Sequence, residues 1–135
     1  WAKDFLDNGS TIHLKLTVKK KTGECLFDFS KTSKQLSGNL NVPKAVTRSA
    51  ILYCLRCLID SDIPLNQGCL NPIKILIEEG SLLSPTQDAA VVAGNVLTSQ
   101  RIVDVIFKAF IFSIAESAVA LSLIQTGFLL EIYTH

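Results

Sequence analysis

The chain has 135 residues, of which 48% are apolar and 19% charged, and its formal net charge is +1. That composition fills the core of one ordinary domain, or a piece of a larger one, and excludes a disordered chain. The near-neutral balance gives no reason to expect nucleic acid as a partner.

The chain contains no methionine, and from Trp1 it runs straight into "DFLDNGSTIHLKL" without a signal-like segment. The expectation from this is a fragment of a longer chain. Asp7-Asn8-Gly9-Ser10 reads as a turn, which is favoured over the glycosylation sequon that Asn8-Gly9-Ser10 also spells. "TIHLKLTV" sets Ile12, Leu14, Leu16 and Val18 against His13, Lys15 and Thr17, the alternation of a half-buried strand with His13 on its exposed face. "CLFDFS" answers it across Lys21-Thr22-Gly23-Glu24, so the pair is expected to form a β-hairpin, with Lys19, Lys20 and Lys21 as its solvated tip.

Residues 30–41 are polar, carry Gly38 and read as a loop. Asn41 is placed to cap a helix that has Pro43 in its first turn and runs through "KAVTRSAILYCLRCLI". The spacing puts Val46, Ala50, Cys54, Cys57 and Leu58 on one apolar face. Residues 60–72, punctuated by Pro64, Gly68 and Pro72, form a long loop. "IKILI" is a short strand, and "EEGSLLSPTQD" is another loop. The apolar run "AAVVAGNV" breaks at Gly94-Asn95. A second helix is expected to start from a cap at Thr98 or Ser99, with Ile102, Ile106 and Phe110 in line and Val103 and Phe107 beside them.

Three of the four cysteines, Cys54, Cys57 and Cys69, fall in one short stretch. A redox Cys-x-x-Cys places its first thiol at a helix N-terminus, whereas Cys54 and Cys57 fall mid-helix, so both are expected in the core. A closed zinc site needs four ligands, and no second Cys-x-x-Cys or His pair supplies them, so no metal site is expected. "GNLNVPK" lacks the second glycine and the Lys-Ser/Thr ending of a phosphate loop, and Glu78-Glu79 point opposite ways at a strand end. No Gly-x-Ser-x-Gly and no His-Glu-x-x-His occurs. The residues by themselves thus define an α/β domain and no reaction.

The order of the polar segments adds to this. "FDFSKTSKQLSGNLN", the loop Asp62-Ile-Pro-Leu-Asn66-Gln67-Gly68-Cys69, and Gly94-Asn95-Val-x-Thr98-Ser99-Gln100-Arg101 closely resemble, in order, the hydantoinase B/oxoprolinase family. "YCLRCL" and "VLTSQRIVDVI" are most similar to its eukaryotic oxoprolinases. The resemblance covers roughly residues 2–110. It implies an α+β fold, a β-hairpin, two helices and short strands cut from a larger hydantoinase B-type domain, with an apolar helical tail. It also implies an ATP-dependent reaction that opens 5-oxo-L-proline to L-glutamate, in the cytosol, by a homodimer that uses ATP and a divalent metal. Neither cofactor is expected on this piece alone, which lacks the ATP-handling half and is expected to be inactive by itself.

No catalytic residue is carried over from the family. Asn66, Gln67, Asn95, Gln100 and Arg101 are the candidate substrate contacts, since neutral amides in glycine-punctuated loops can hold a lactam or a carboxylate. The competing reading, favoured by the needs of ordered loops, is that these amides bond to loop backbone.

The sequence therefore divides into a partial family domain, 1–110, and a divergent apolar tail, 111–135. Residues 109–130 carry one charge, Glu116, and are long enough to span a bilayer. This leaves a second expectation, a truncated module without catalysis that associates with a membrane or binds the full-length enzyme.

Overall fold

The computed structural model describes residues 1–19, 21–58 and 72–116, with the side chains of 114–116 left aside. Lys20, residues 59–71 with Asn66, Gln67 and Cys69, and residues 117–135 lie outside the described residues.

Four strands form one sheet in the order β1-β2-β3-β4: Ala2–Phe5, Thr11–Val18, Cys25–Asp28 and Ile73–Leu76. β2 is shared end to end. Its first half pairs antiparallel with β1, from Leu14 opposite Ala2 to Thr11 opposite Phe5. Its second half pairs antiparallel with β3, from Lys15 opposite Asp28 to Val18 opposite Cys25. β4 then joins β3 in parallel, Cys25 opposite Ile73 and Asp28 opposite Leu76, which requires a crossover. That crossover contains α1, Lys44–Leu58.

The expected hairpin is present. The Lys19 N–H donates to the Glu24 carbonyl at 2.8 Å, and Gly23 supplies the left-handed φ of +71° that closes the turn. At the other turn the Asn8 side-chain oxygen accepts the Ser10 N–H, and Gly9 stands at φ +83°. β1 is the strand the sequence did not announce. It has four residues, two of them charged, and it is held through its pairing with β2.

α2, Ser99–Glu116, lies against β1 and β2 and carries α1 on its other side. Ile102, Val105, Ile106, Ala109 and Phe110 are buried in the joint core with Ile12, Leu14 and Phe27. Phe110 meets Phe27 edge to face, with ring centres 6.2 Å apart.

α1 occupies the expected stretch, but its buried stripe is Thr47, Ala50, Ile51, Cys54 and Leu55. That is the five-residue seam a helix presents to a single packing partner. Val46 is only half-buried and Cys57 is exposed, so Cys57 is not the core residue expected of it. His13 is corrected too. It is half-buried, stacked on Trp1 at 5.8 Å, with its Nδ1 buried and unpartnered, and burial lowers its pKa first, with nearby Lys31 adding to the effect.

Candidate functional site

The end of the polar loop 30–41 and the stretch around the Gly94-Asn95 break close on each other. Asn41 is fully buried and ties them together. Its Oδ1 accepts the Leu36 N–H at 2.7 Å. Its Nδ2 donates to the carbonyls of Leu36, Gly38 and Ala90 at 2.9, 2.9 and 3.0 Å, two protons shared among three acceptors. Asn41 is therefore not the helix cap read from its position. A cap turns its oxygen toward the following helix, whereas this oxygen faces back to Leu36.

The second stretch answers with backbone. The N–H groups of Ala93 and Gly94 both donate to the Asn39 carbonyl, at 3.0 and 3.1 Å. Thr98 is buried, and its hydroxyl donates to the Leu40 carbonyl at 2.6 Å. Gly94 is the contact point. A Cβ there would overlap the Asn41 carbonyl and stand 2.7 Å from Val42 Cγ1, so only a hydrogen fits.

This closeness shapes the start of the second helix. Instead of beginning at a Thr98 or Ser99 cap, the helical backbone opens with a π-helical turn, Gly94–Thr98, that runs directly into α2. Ser99 is already helical, and its hydroxyl donates back to the Asn95 carbonyl at 2.7 Å. Such wide turns are frequent at functional sites.

Of the candidate contacts, Asn95 and Gln100 are exposed, at either end of this junction. Gln100 lines a groove of about 530 Å³ between the two helices, with Val46, Ser49, Ala50 and Tyr53 on α1 and Val103 beside it on α2. Arg101 lies toward β1. Its guanidinium stands 3.8 Å from the Asp4 carboxylate and 3.3 Å from that of Asp104. Gln100 and Arg101 therefore serve different neighbours. Asn66 and Gln67 lie outside the described residues.

Sequence reasoning missed the groove wall on α1, although Val46, Ser49 and Tyr53 at spacings of three and four were a readable signal for a second face. Among the described residues no three His, Cys, Asp or Glu side chains come together as a metal could require. Glu78 and Glu79 go to separate lysines, Lys34 at 3.2 Å and Lys44 at 3.6 Å. Burial pushes the Cys25 and Cys54 thiols up to about 12, so neither is a nucleophile at neutral pH.

The joined stretches include two of the three that carry the family resemblance, and comparison with known proteins decides the matter. The sequence model of the hydantoinase B/oxoprolinase family matches residues 1–130. The chain belongs to that family. It is 59% identical over 108 residues to 5-oxoprolinase 1 of Arabidopsis thaliana, covering 80% of this chain and 8% of the relative. It is 60% identical over 108 residues to 5-oxoprolinase of Saccharomyces cerevisiae, with the same coverage. Against 5-oxoprolinase of Dictyostelium discoideum the identity is 51% over 107 residues, 79% of this chain and 8% of the relative. The chain thus spans about a twelfth of the length of these relatives. No solved structure matches it. Among the described residues no helix is long and apolar enough to cross a membrane.

Within the hydantoinase B/oxoprolinase frame, the α+β architecture read from the sequence holds, with a four-stranded mixed sheet and two helices. The family model continues to residue 130, and α2 itself runs through Phe110 without a break.

Proposed function

We propose that this chain is a segment of the B-type half of an ATP-dependent 5-oxoprolinase, which converts 5-oxo-L-proline and water to L-glutamate. The observation that carries this reading is the 51–60% identity, over four fifths of the chain, to proteins named 5-oxoprolinase. A five-membered lactam resists hydrolysis because its nitrogen lone pair is shared with the carbonyl. In such a reaction ATP would phosphorylate the lactam oxygen, leaving ADP and an electrophilic ring carbon. Water adds there, the C–N bond breaks to free the amine, and hydrolysis of the resulting acyl phosphate gives the carboxylate and phosphate.

Among the described residues no cluster of His, Cys, Asp or Glu offers a metal site. ATP and a divalent metal are assigned to other parts of the longer enzyme, which is proposed to act as a homodimer. The cytosol is its proposed location. The share of this segment in the reaction is positional. Asn41, Gly94 and Thr98 lock two loops together, and that lock fixes where Asn95 and Gln100 stand. Asn95 and Gln100, with Asn66, Gln67 and Arg101, are the proposed substrate contacts, the amides offering both donors and acceptors to a lactam and a carboxylate.

The experiment has two arms. Purified chain is assayed for ATP-dependent glutamate formation, and residues 1–110 replace the aligned segment of the Saccharomyces cerevisiae 5-oxoprolinase. The expected result is no turnover by the chain alone and turnover by the chimera. Turnover by the chain alone would overturn the positional assignment. A folded chimera that binds ATP but forms no glutamate would overturn the 5-oxoprolinase reading.

A further inference from the structure

β2 has eight residues and β1 only four, so β1 covers one half of it. Hydrogen-bond parity along β2 shows what the other half leaves open. The His13 N–H donates to Thr32 Oγ1 at 3.2 Å, the Thr11 carbonyl accepts the Ser33 N–H at 2.9 Å, and the Lys19 N–H donates to the Glu24 carbonyl. Odd-numbered residues of β2 thus turn their main-chain groups toward the β3 side, where residues 32–33 and then β3 meet them. Even-numbered residues turn the other way. Ile12 and Leu14 find Asp4 and Ala2 there, but β1 begins at Ala2. Among the described residues nothing pairs with Leu16 and Val18 on that side. Such a row of open N–H and C=O groups is a template for another strand.

The same place has room for side chains. Asp4, on the face of β1 turned to α2, accepts a hydrogen bond from Lys108 at 2.6 Å. Next to it a space of about 470 Å³ is bounded by Trp1, Ala2, Lys3, Lys108 and Phe112, and Phe112 is 58% exposed. Leu16 and Val18 pack on the core from the same face of the sheet, but each is only partly buried. An open backbone edge and an unfilled apolar space therefore meet at the start of β1.

We infer that this edge seats the three residues that lead into Trp1 in the longer hydantoinase B polypeptide, as a backward extension of β1. The register of β1 on β2, carried on, puts Trp1 opposite Lys15, the residue before it opposite Leu16, and the third before it opposite Val18. The first and third share the face of Ala2 and turn toward α2, so apolar side chains are expected there, the first beside Phe112. Covalent continuity selects this occupant. A residue bonded to Trp1 starts on the line of β1, at an effective concentration that no separate segment matches. The inference rests on the reading of this chain as a segment of a longer polypeptide, whose relatives it covers to 8% of their length.

Amide hydrogen exchange, resolved by residue in NMR spectra, tests it on the whole chain. The chain is compared with a form extended by a short segment, about six residues as in an ordinary strand, taken from Saccharomyces cerevisiae 5-oxoprolinase just before the position aligned with Trp1. In the dilute parent chain, Leu16 and Val18 are expected to exchange faster than Ile12 and Leu14, which β1 already pairs. In the extended form they are expected to slow by roughly tenfold or more, toward the rates of Ile12 and Leu14. Slow exchange at Ile12 and Leu14 reports in both forms that the sheet is folded. Unchanged rates at Leu16 and Val18 in a folded extended chain would overturn the inference. Slow exchange already present in the dilute parent would overturn it too, since the chain's own residues would then cover the edge. Slowing that comes only with concentration would overturn it in favour of a second copy. Should the extension prevent folding, peptides of the intact Saccharomyces cerevisiae enzyme decide, where two fast amides in the stretch aligned with 15–18 would overturn it. No turnover is involved, so failure here is distinguishable from failure of the reaction proposed above.

Discussion

The backbone carbonyl of Asn41 occupies the space that a side chain on Gly94 would need. Gly94 is helical with no left-handed φ, so intrinsic propensity alone would make Gly94→Ala stabilising by about 1 kcal/mol. The neighbour it would meet is backbone, which cannot swing aside, and overpacking of this kind costs about 1–3 kcal/mol or more. The clash is expected to win. Gly94→Ala should lower the urea midpoint of the chain at unchanged slope, and a midpoint at or above that of the parent would show that the two loops can separate at little cost.

Asn41→Asp tests the other half of the lock. The exchange is nearly isosteric, but it replaces an amide donor by a carboxylate oxygen facing the carbonyls of Leu36, Gly38 and Ala90. A buried charge without a partner destabilises by about 3–5 kcal/mol, against about 1–3 kcal/mol for the simple loss of buried hydrogen bonds in Asn41→Ala. Asp should therefore be worse than Ala at neutral pH. Burial raises the folded-state pKa of the new carboxyl above its unfolded value, so the variant's deficit should shrink as pH falls and the group is held neutral. Equal midpoints for the two variants across pH would mean that Asn41 is not enclosed as described.

Much of this arrangement could be read from the residues, and the parts that could not have a common cause. The strand Thr11–Val18 and the helix Lys44–Leu58 were legible because each carries its own period in side chains that face one core. β1 was hidden because it is only four residues long and owes its order to hydrogen bonds with Leu14 through Thr11. Asn41 was misplaced as a cap because local position favours capping, while its actual partners include Ala90, distant in the sequence. The π-helical turn was invisible for the same reason: its shape follows from what touches Gly94, and no local pattern records that. The candidate contacts were chosen for amide chemistry in polar loops, which marks residue type but not direction. Gln100 and Arg101 consequently fall to different neighbours.

Asp4 ties β1 to α2, and its titration should be visible in stability. Lys108 donates to its carboxylate at 2.6 Å, and this contact holds the Asp4 pKa below the usual aspartate value against the opposing effect of burial, with Arg101 assisting. A carboxyl whose pKa is depressed on folding contributes stability above its unfolded pKa, and that contribution is lost as pH falls through the folded pKa. Lys108 and Arg101 are about half exposed, so the pair is screened and Asp4→Asn should cost only about 0.2–1 kcal/mol at neutral pH in low salt. The gap between parent and variant should close on acidification and narrow in high salt. A gap that is constant across both would place the role of Asp4 in packing rather than charge.

The three cysteines among the described residues should separate cleanly by reactivity. Cys57 is exposed on α1, whereas Cys25 and Cys54 are buried, with their thiols pushed up to about 12 by desolvation. Reaction requires both access and thiolate, so the buried pair is doubly protected. Brief treatment of the native chain with iodoacetamide at pH 8 should label Cys57 while leaving Cys25 and Cys54 at least roughly tenfold slower, with all three equal in urea. Cys54 also points its thiol at the Val103 carbonyl, 3.9 Å away across the α1–α2 contact. Rapid native labelling of Cys54 would therefore mean that α1 has parted from α2, and a reagent-accessible Cys25 would mean that the core around the start of β3 has opened. Cys57→Ser should remove the Cys57 label and leave both the protection of Cys25 and Cys54 and the stability unchanged, because its side chain is exposed.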